Sequence, residues 1–568
     1  MSDTPIQRWW TIVSALEPTH PARTALRAYS LAFTLSLGPA LVKTLSSSIR
    51  AKGRRVDVAP LVQLLAKELR HDGFAFAVAT AAAGGPALSS LWNRFANSKQ
   101  NFSIRQRFAT LLALPDSLKK RLEGFDLPQE HQLVLFNAVA AAVGFNFLQA
   151  GGKRSLREKG RQPSYPSPTL DFTLLLVVRA MDSVVQSFIQ KLSSPSITLS
   201  KTNGNGVNHA QNGTSRHTSK DSKASTVTKT LHKAGSHVAT QVDAFVFWVC
   251  TSRIMWCFFY DPHRLPRSYV KWIATLAHLD SRLIRTLQLI KSNDWSYIAG
   301  SPKNLGLLQE YAVELGLPAS WGNPELVPAY GGAAATAVWQ QLGVKSRPGV
   351  GGIPCELVHG KLGAKLGCPT RSCHVNATLR IYQGLIQALA IYLPVHFIPT
   401  LLTRPSSLLQ LGVISRLAAG ALRSSAFLSS FIALYYYAVC CTRTLVLARL
   451  FPSISHQIWD GPYGGMFVGS LVCGSSIWIE NGKRRSEMAL YVLPRALRTL
   501  LPRKLSAKWL PLASLFEGGA FVVSMAVLLH AAAEQPDSLR GLSRWTLSFV
   551  TKGFDALGEK REPPEHKP

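Results

Sequence analysis

The residues best equipped for chemistry lie in one segment, Cys355-x3-His359-x8-Cys368-x4-Cys373-His374. Thiolate and imidazole together fill tetrahedral zinc sites, so Cys355, His359, Cys368 and Cys373 form a candidate zinc set. The spacing fits no common zinc finger, and a disulfide or unpaired loop thiols are the alternatives. A second group consists of charges inside apolar runs. Arg179 and Asp182 stand at i, i+3 in one run, Arg253 lies in another, and Glu517 sits between Phe516 and Gly518-Gly519 in a third. Charges are costly in hydrocarbon and tend to face a bundle interior or a hydrated cavity. An Arg179–Asp182 pair joined by Arg253 would line a polar path for an anionic solute; an ion pair at the membrane edge is the plainer alternative. His396, near Pro394 and Pro399, is similarly isolated and can serve transport or simply bond to backbone.

Catalytic patterns are missing. The chain has no G-x-S-x-G elbow, no GxxxxGK[ST] loop and no H-E-x-x-H. His278-x-Asp280 is better explained as a solvated polar face than as a catalytic pair. No catalytic residue is assigned, and the expectation is a protein that is not an enzyme.

The elements that must position these groups are apolar helices. Runs at 24–44, 73–92, 133–150, 169–189, 244–260, 379–402, 424–446, 463–479 and 510–530 predict nine membrane spans. Gly461, just before the eighth, and Gly465 and Gly469 within it recur every fourth residue, and Gly84 and Gly85 mark the second. Such small residues let neighbouring helix backbones approach closely in a bilayer, so all five are expected to pack helices. Basic amphipathic stretches at 50–70, 264–290 and 488–500 predict interfacial helices. The fold class expected is therefore all-α, a multi-pass transmembrane bundle with an internal repeat and interfacial amphipathic helices. In domains, 1–192 is a first membrane bundle and 193–240 a disordered basic linker, too poor in apolar residues to order itself. Residues 241–353 hold membrane and interfacial helices with a connecting region, and 354–375 the Cys/His segment. Residues 376–533 form a second bundle, and 534–568 a polar tail.

Charge narrows the partners. The 568 residues carry 63 Lys and Arg against 31 Asp and Glu, a net +32, while 47% of the chain is hydrophobic. The basic residues border apolar runs and no nucleic-acid motif accompanies them, so anionic lipid headgroups are the expected partner and nucleic acid is not. A homo-oligomer or organelle-membrane partners are open. Cys250, Cys257 and Cys473 lie in apolar segments, which does not fit a secreted disulfide framework. The start of the chain lacks the pattern of a secretory signal peptide.

The repeat rests on ordered matches. Leu26-Arg27-Ala28-Tyr29 answers Leu379-Arg380-Ile381-Tyr382; Gly84-Gly85 before Ser89-Ser90-Leu91-Trp92 answers Gly464-Gly465 before Ser475-Ser476-Ile477-Trp478; and Leu135-Phe136 answers Leu515-Phe516. Three further stretches carry a family resemblance: 354–359 (PCELVH) through Ser372-Cys373, 379–396, and 483–496 (KRRSEMALYVLPRA). On these residues the chain resembles the transmembrane protein 135 family, including its fungal members, over roughly the C-terminal two-fifths. The resemblance implies a multi-pass protein of peroxisomal, and in some members mitochondrial, membranes, linked to organelle dynamics and lipid homeostasis. It also implies distant similarity to the inner-membrane protein-translocase family. No reaction comes with it, and zinc is the one cofactor candidate. The insertion of Cys368 between His359 and Cys373 departs from the family's shorter cysteine-rich spacing.

Overall fold

The computed structural model describes residues 16–17, 20–50, 59–97, 129–158, 160, 167–193, 220–301, 303, 306–345, 347–362, 372–403, 405–502, 504–506 and 508–553. Among them every regular element is helical, apart from one isolated bridge between Ser296 and Gly300. Seven helices among the described residues are long and apolar enough to cross a membrane: Phe74–Asn93, His131–Glu158, Leu170–Lys191, Val238–Tyr260, Cys373–Leu401, Leu411–Leu450 and Leu510–Glu534. A helix satisfies its backbone internally, which is why hydrocarbon selects it. The chain is read on this basis as an integral membrane protein.

Two expected spans fall outside that set. The first lies within the helix Pro21–Arg50, whose Arg23, Arg27, Ser30, Thr34 and Ser36 dilute its apolar content. The eighth is nine α-helical residues, Gly465–Cys473, followed by a six-residue 3-10 turn to Ile479. Its length of roughly 25 Å is short of a hydrocarbon core of about 30 Å.

The helices sort into two compact units, Met1–Thr214 with Lys504–Pro568, and Ser215–Arg503. In the first, Phe74–Asn97 packs on Gln129–Glu158 and on Pro21–Arg50, while Leu510–Glu534 packs on Gln129–Glu158 and Leu170–Ser193. Phe145, Phe521 and Met525 join Ala77, Ala81 and Ala141 in its core. Leu510–Glu534 was expected in the bundle 376–533; its Phe521 instead meets Phe145 and Phe172, at ring-centroid distances of 5.2 and 6.0 Å. The last described helix of this unit is Gly541–Lys552.

Glycine makes the close approach in this unit. A Cβ on Gly84 would lie 2.7 Å from the Ala140 Cβ, and one on Gly85 2.9 Å from the Asn137 Cα. Across the same seam a Cβ on Gly144 would lie 2.8 Å from the Ala77 carbonyl oxygen. In the second unit Gly469 faces Tyr435 and Val439 at 3.0–3.1 Å, whereas Gly465 has ordinary clearance from Thr442. Gly461 differs from the expectation: it precedes the helix, and its Cβ would meet the carbonyls of Gln457 and Ile458 in its own turn. It serves the turn rather than a helix seam.

In the second unit Leu411–Cys440 packs on Cys373–Thr403 and Gly465–Cys473, and Gly482–Leu500 packs on Lys220–Tyr260. Helix Lys220–Tyr260 extends into the expected linker, of which 194–219 lies outside the described residues. The basic amphipathic helices also turn their apolar sides to protein. Gly482–Leu500 buries Ala489, Leu490, Val492 and Ala496, and Ser281–Ser292 buries Leu283, Leu287 and Ile290. Between 261 and 372 short helices enclose Trp295 and Trp339, both almost wholly buried. None of these short helices is long enough to span.

Candidate metal centre

The Cys/His segment is built from three pieces of chain. Pro354 starts a one-turn helix, Cys355–His359, and Gly360 ends it at φ +68°, a backbone angle suited to glycine. Cys355 and His359, at i and i+4, therefore share a face. Cys373 is the first residue of Cys373–Thr403, and Cys440 the last of Leu411–Cys440. The donor atoms of Cys355, His359, Cys373 and Cys440 all lie within 4.8 Å of one another, and all four residues are buried. The Cys440 Sγ is 3.5 Å from His359 Nε2. Cys368 of the expected set lies outside the described residues. Cys440 was missed because it closes a long apolar helix, where a cysteine reads as one more small hydrophobe.

A buried polar network surrounds the Cys355 sulfur. After Cys440 the helix widens into a π turn, Cys441–Leu445, a local insertion often found at functional sites. Thr444 Oγ1 lies 2.9 Å from Cys355 Sγ, and Arg347 donates from Nη1 to that sulfur at 3.4 Å and to Thr444 Oγ1 at 2.7 Å. Arg347 Nη2 also donates to the carbonyls of Gly351 and of Arg443. Arg443 forms a two-pronged pair with Asp460, Nε to Oδ1 at 2.8 Å and Nη2 to Oδ2 at 2.9 Å. The Tyr297 hydroxyl donates to the same carboxylate at 2.5 Å. Arg380 donates to the carbonyls of Ala277 and His359 and lies over the Tyr436 ring, its Cζ 3.2 Å from the centroid. The Cys355 thiol is held well below the ordinary thiol range, against burial, by the neighbouring Cys373 and Cys440 thiols, with His359 and the Arg347 charge adding to the effect.

Asp460 and His456 set the acid response of this region. Burial pushes the Asp460 carboxyl up, but the Arg443 charge, the two Arg443 hydrogen bonds and the nearby His456 outweigh it and hold it well below the usual carboxylate range. His456 is fully enclosed, its Nδ1 3.8 Å from Asp460, and burial lowers it to about 4 even though Asp460 favours its charged form. Its unfolded value is near 6.5, so the unfolded chain takes up the proton first. The stability gained from a neutral His456 is complete above about pH 6.5 and is lost as pH falls toward 4. The shift corresponds to about 3 kcal/mol. Melting of the purified protein should fall between pH 7.5 and 5, and His456→Gln should flatten that slope.

The charges within the spans are divided between the two units. Arg179 and Asp182 belong to the first unit and Arg253 to the second. Asp182 pairs with Arg540 through both of its oxygens. Arg253 donates from Nε to Thr499 Oγ1 at 3.3 Å and stacks on Trp256. Glu517 accepts from the Thr169 hydroxyl, which also receives the Gln149 amide at 2.7 Å. His396 Nδ1 bonds to the Tyr392 carbonyl at 2.8 Å. Asp280 caps Ser281–Ser292 by accepting from the Arg282 backbone N–H, which gives the His278-x-Asp280 pair a structural use.

Comparison with protein-family models, curated proteins and solved structures found no match to this chain.

Proposed function

We propose that the protein is a non-enzymatic integral membrane protein of peroxisomes and/or mitochondria that supports organelle dynamics and lipid homeostasis, acting as a scaffold. The observation that carries the scaffold role is the closure of the intramembrane charges: Asp182 on Arg540, Arg253 on Thr499 and Glu517 on Thr169, each within its own unit. A conducting path needs such groups turned toward a hydrated route. The organelle and the lipid role rest on the family resemblance of 354–359, 379–396 and 483–496. The same reading includes an internal duplication, supported by the order of matching sequence features. Tagged protein is expected to co-localise with peroxisomal or mitochondrial markers; plasma-membrane or secretory staining would overturn the proposal.

A second reading, a transporter or channel for lipids or anionic metabolites, is favoured by one cavity. It has a volume of about 160 Å³, is almost entirely apolar, and is lined by Phe247, Ile254, Phe258, Tyr269, Phe427 and Tyr491. The Arg495 guanidinium stacks on two of those rings, 3.8 Å from the centre of Tyr491 and 5.2 Å from that of Tyr269. An apolar chamber beside a stacked cation suits an acyl chain with an anionic head. Flux of an acyl or anionic solute in proteoliposomes, removed by Arg495→Gln, would favour this reading over the scaffold.

A further inference from the structure

We infer that Cys355, His359, Cys373 and Cys440 bind one zinc ion, which ties the short-helix region 261–372 to two membrane helices. This goes beyond the scaffold reading and does not depend on it. The first argument is geometric. Four donors converge from three pieces of chain within 4.8 Å, against about 3.5–3.8 Å for the edges of a zinc tetrahedron. The His359–Cys440 separation of 3.5 Å is already such an edge. Contraction by about 1 Å along the longest edge completes the shell, within the reach of side-chain rotation. Three thiolates and one imidazole form a closed structural set with no open position for substrate.

The second argument is charge. Arg347 is wholly buried, and among the described residues no carboxylate pairs with it; Asp460 is taken by Arg443. A buried guanidinium without an anion is strongly unfavourable. Three thiolates with Zn²⁺ and a neutral imidazole carry a net −1, and Arg347 donates directly to one of those sulfurs at 3.4 Å. The zinc centre gives Arg347 an anionic partner. Three neutral thiols would not. Arg347 and Thr444 are then the outer partners of Cys355, which orient the ligand and temper its charge. Arg380, through the His359 carbonyl at 3.2 Å, steadies the helix turn that carries the imidazole.

The full-length protein, purified in detergent without chelator, should hold one zinc per chain by elemental analysis. Cys373→Ala and Cys440→Ala should each reduce zinc to background, while Cys441→Ala, next in sequence to a ligand, should keep it. Because a ligand variant can fail to fold, the wild-type protein supplies an independent reading: replacement of its metal by Co²⁺ should give the intense visible bands of a tetrahedral thiolate complex. Arg347→Met should lose zinc to a chelator about tenfold more readily. Wild-type protein that holds no zinc and gives no cobalt spectrum would overturn the inference. So would intact mass and thiol titration showing a disulfide among Cys355, Cys373 and Cys440.

Discussion

Asp460→Ala is expected to prevent stable folding of the second unit, at a cost of about 3–5 kcal/mol, because it leaves Arg443 charged and buried without its partner. Both side chains are almost wholly enclosed, at 1% and 4% exposure. The same substitution strips an acceptor from the Tyr297 hydroxyl, and a buried donor without a partner adds to the loss. Fluorescence-detected size exclusion and thermal melting in detergent would measure it. The companion variant Arg443→Met with Asp460→Leu should recover most of the stability, since a buried ion pair can be exchanged for apolar side chains at little net cost. A single variant as stable as the wild type would show that water reaches the pair. Acid should not mimic the substitution at ordinary pH: the Asp460 carboxyl is held well below its usual range, so its contribution persists until strongly acidic pH.

Gly144→Leu should strongly destabilise the first unit. A Cβ there already lies 2.8 Å from the Ala77 carbonyl oxygen and 2.8 Å from the Ala81 Cβ, and backbone cannot swing aside as a side chain can. The cost should reach about 3 kcal/mol, the upper end of ordinary overpacking. Gly519→Ala provides the contrast. Nothing lies within 4 Å of a Cβ at that position, so the better helix propensity of alanine should leave stability unchanged or raise it by up to about 1 kcal/mol. Melting temperatures of the two variants, measured side by side in one detergent, test the seam directly. Equal melting points would show that the Phe74–Asn97 and Gln129–Glu158 helices can part without penalty.

The sequence reveals individual helices more readily than their partners. Length and apolar content suffice for the run at 133–150, which forms part of His131–Glu158. They mislead at 463–479, where the apolar run is broken into a nine-residue helix and a 3-10 turn from Gly474 and is too short to span. Packing partners depend on side-chain shape across distant chain. Nothing local to Leu510–Glu534 shows that Phe521 meets Phe145 and Phe172. The metal candidates divide in the same way. Cys355, His359 and Cys373 are visible from ligand type and local spacing, but Cys440 joins them only when two long helices are brought together. Arg443, Asp460 and Arg347 carry no motif. The one available signal for Arg443 is a charge near the end of an apolar run, a feature as common in snorkelling residues as in buried pairs.

The division of the first unit around the second has a consequence for biosynthesis. Leu510–Glu534, which completes the core of Phe145 and Met525, is made after the whole of Ser215–Arg503. At roughly 5–20 residues per second, the nascent first unit waits tens of seconds with one face uncovered. The second unit, continuous in the chain, can fold in that interval. Insertion of the protein thus has a built-in order, the interrupted unit closing last, and the uncovered face is the natural place for a chaperone or insertase to shield the growing chain.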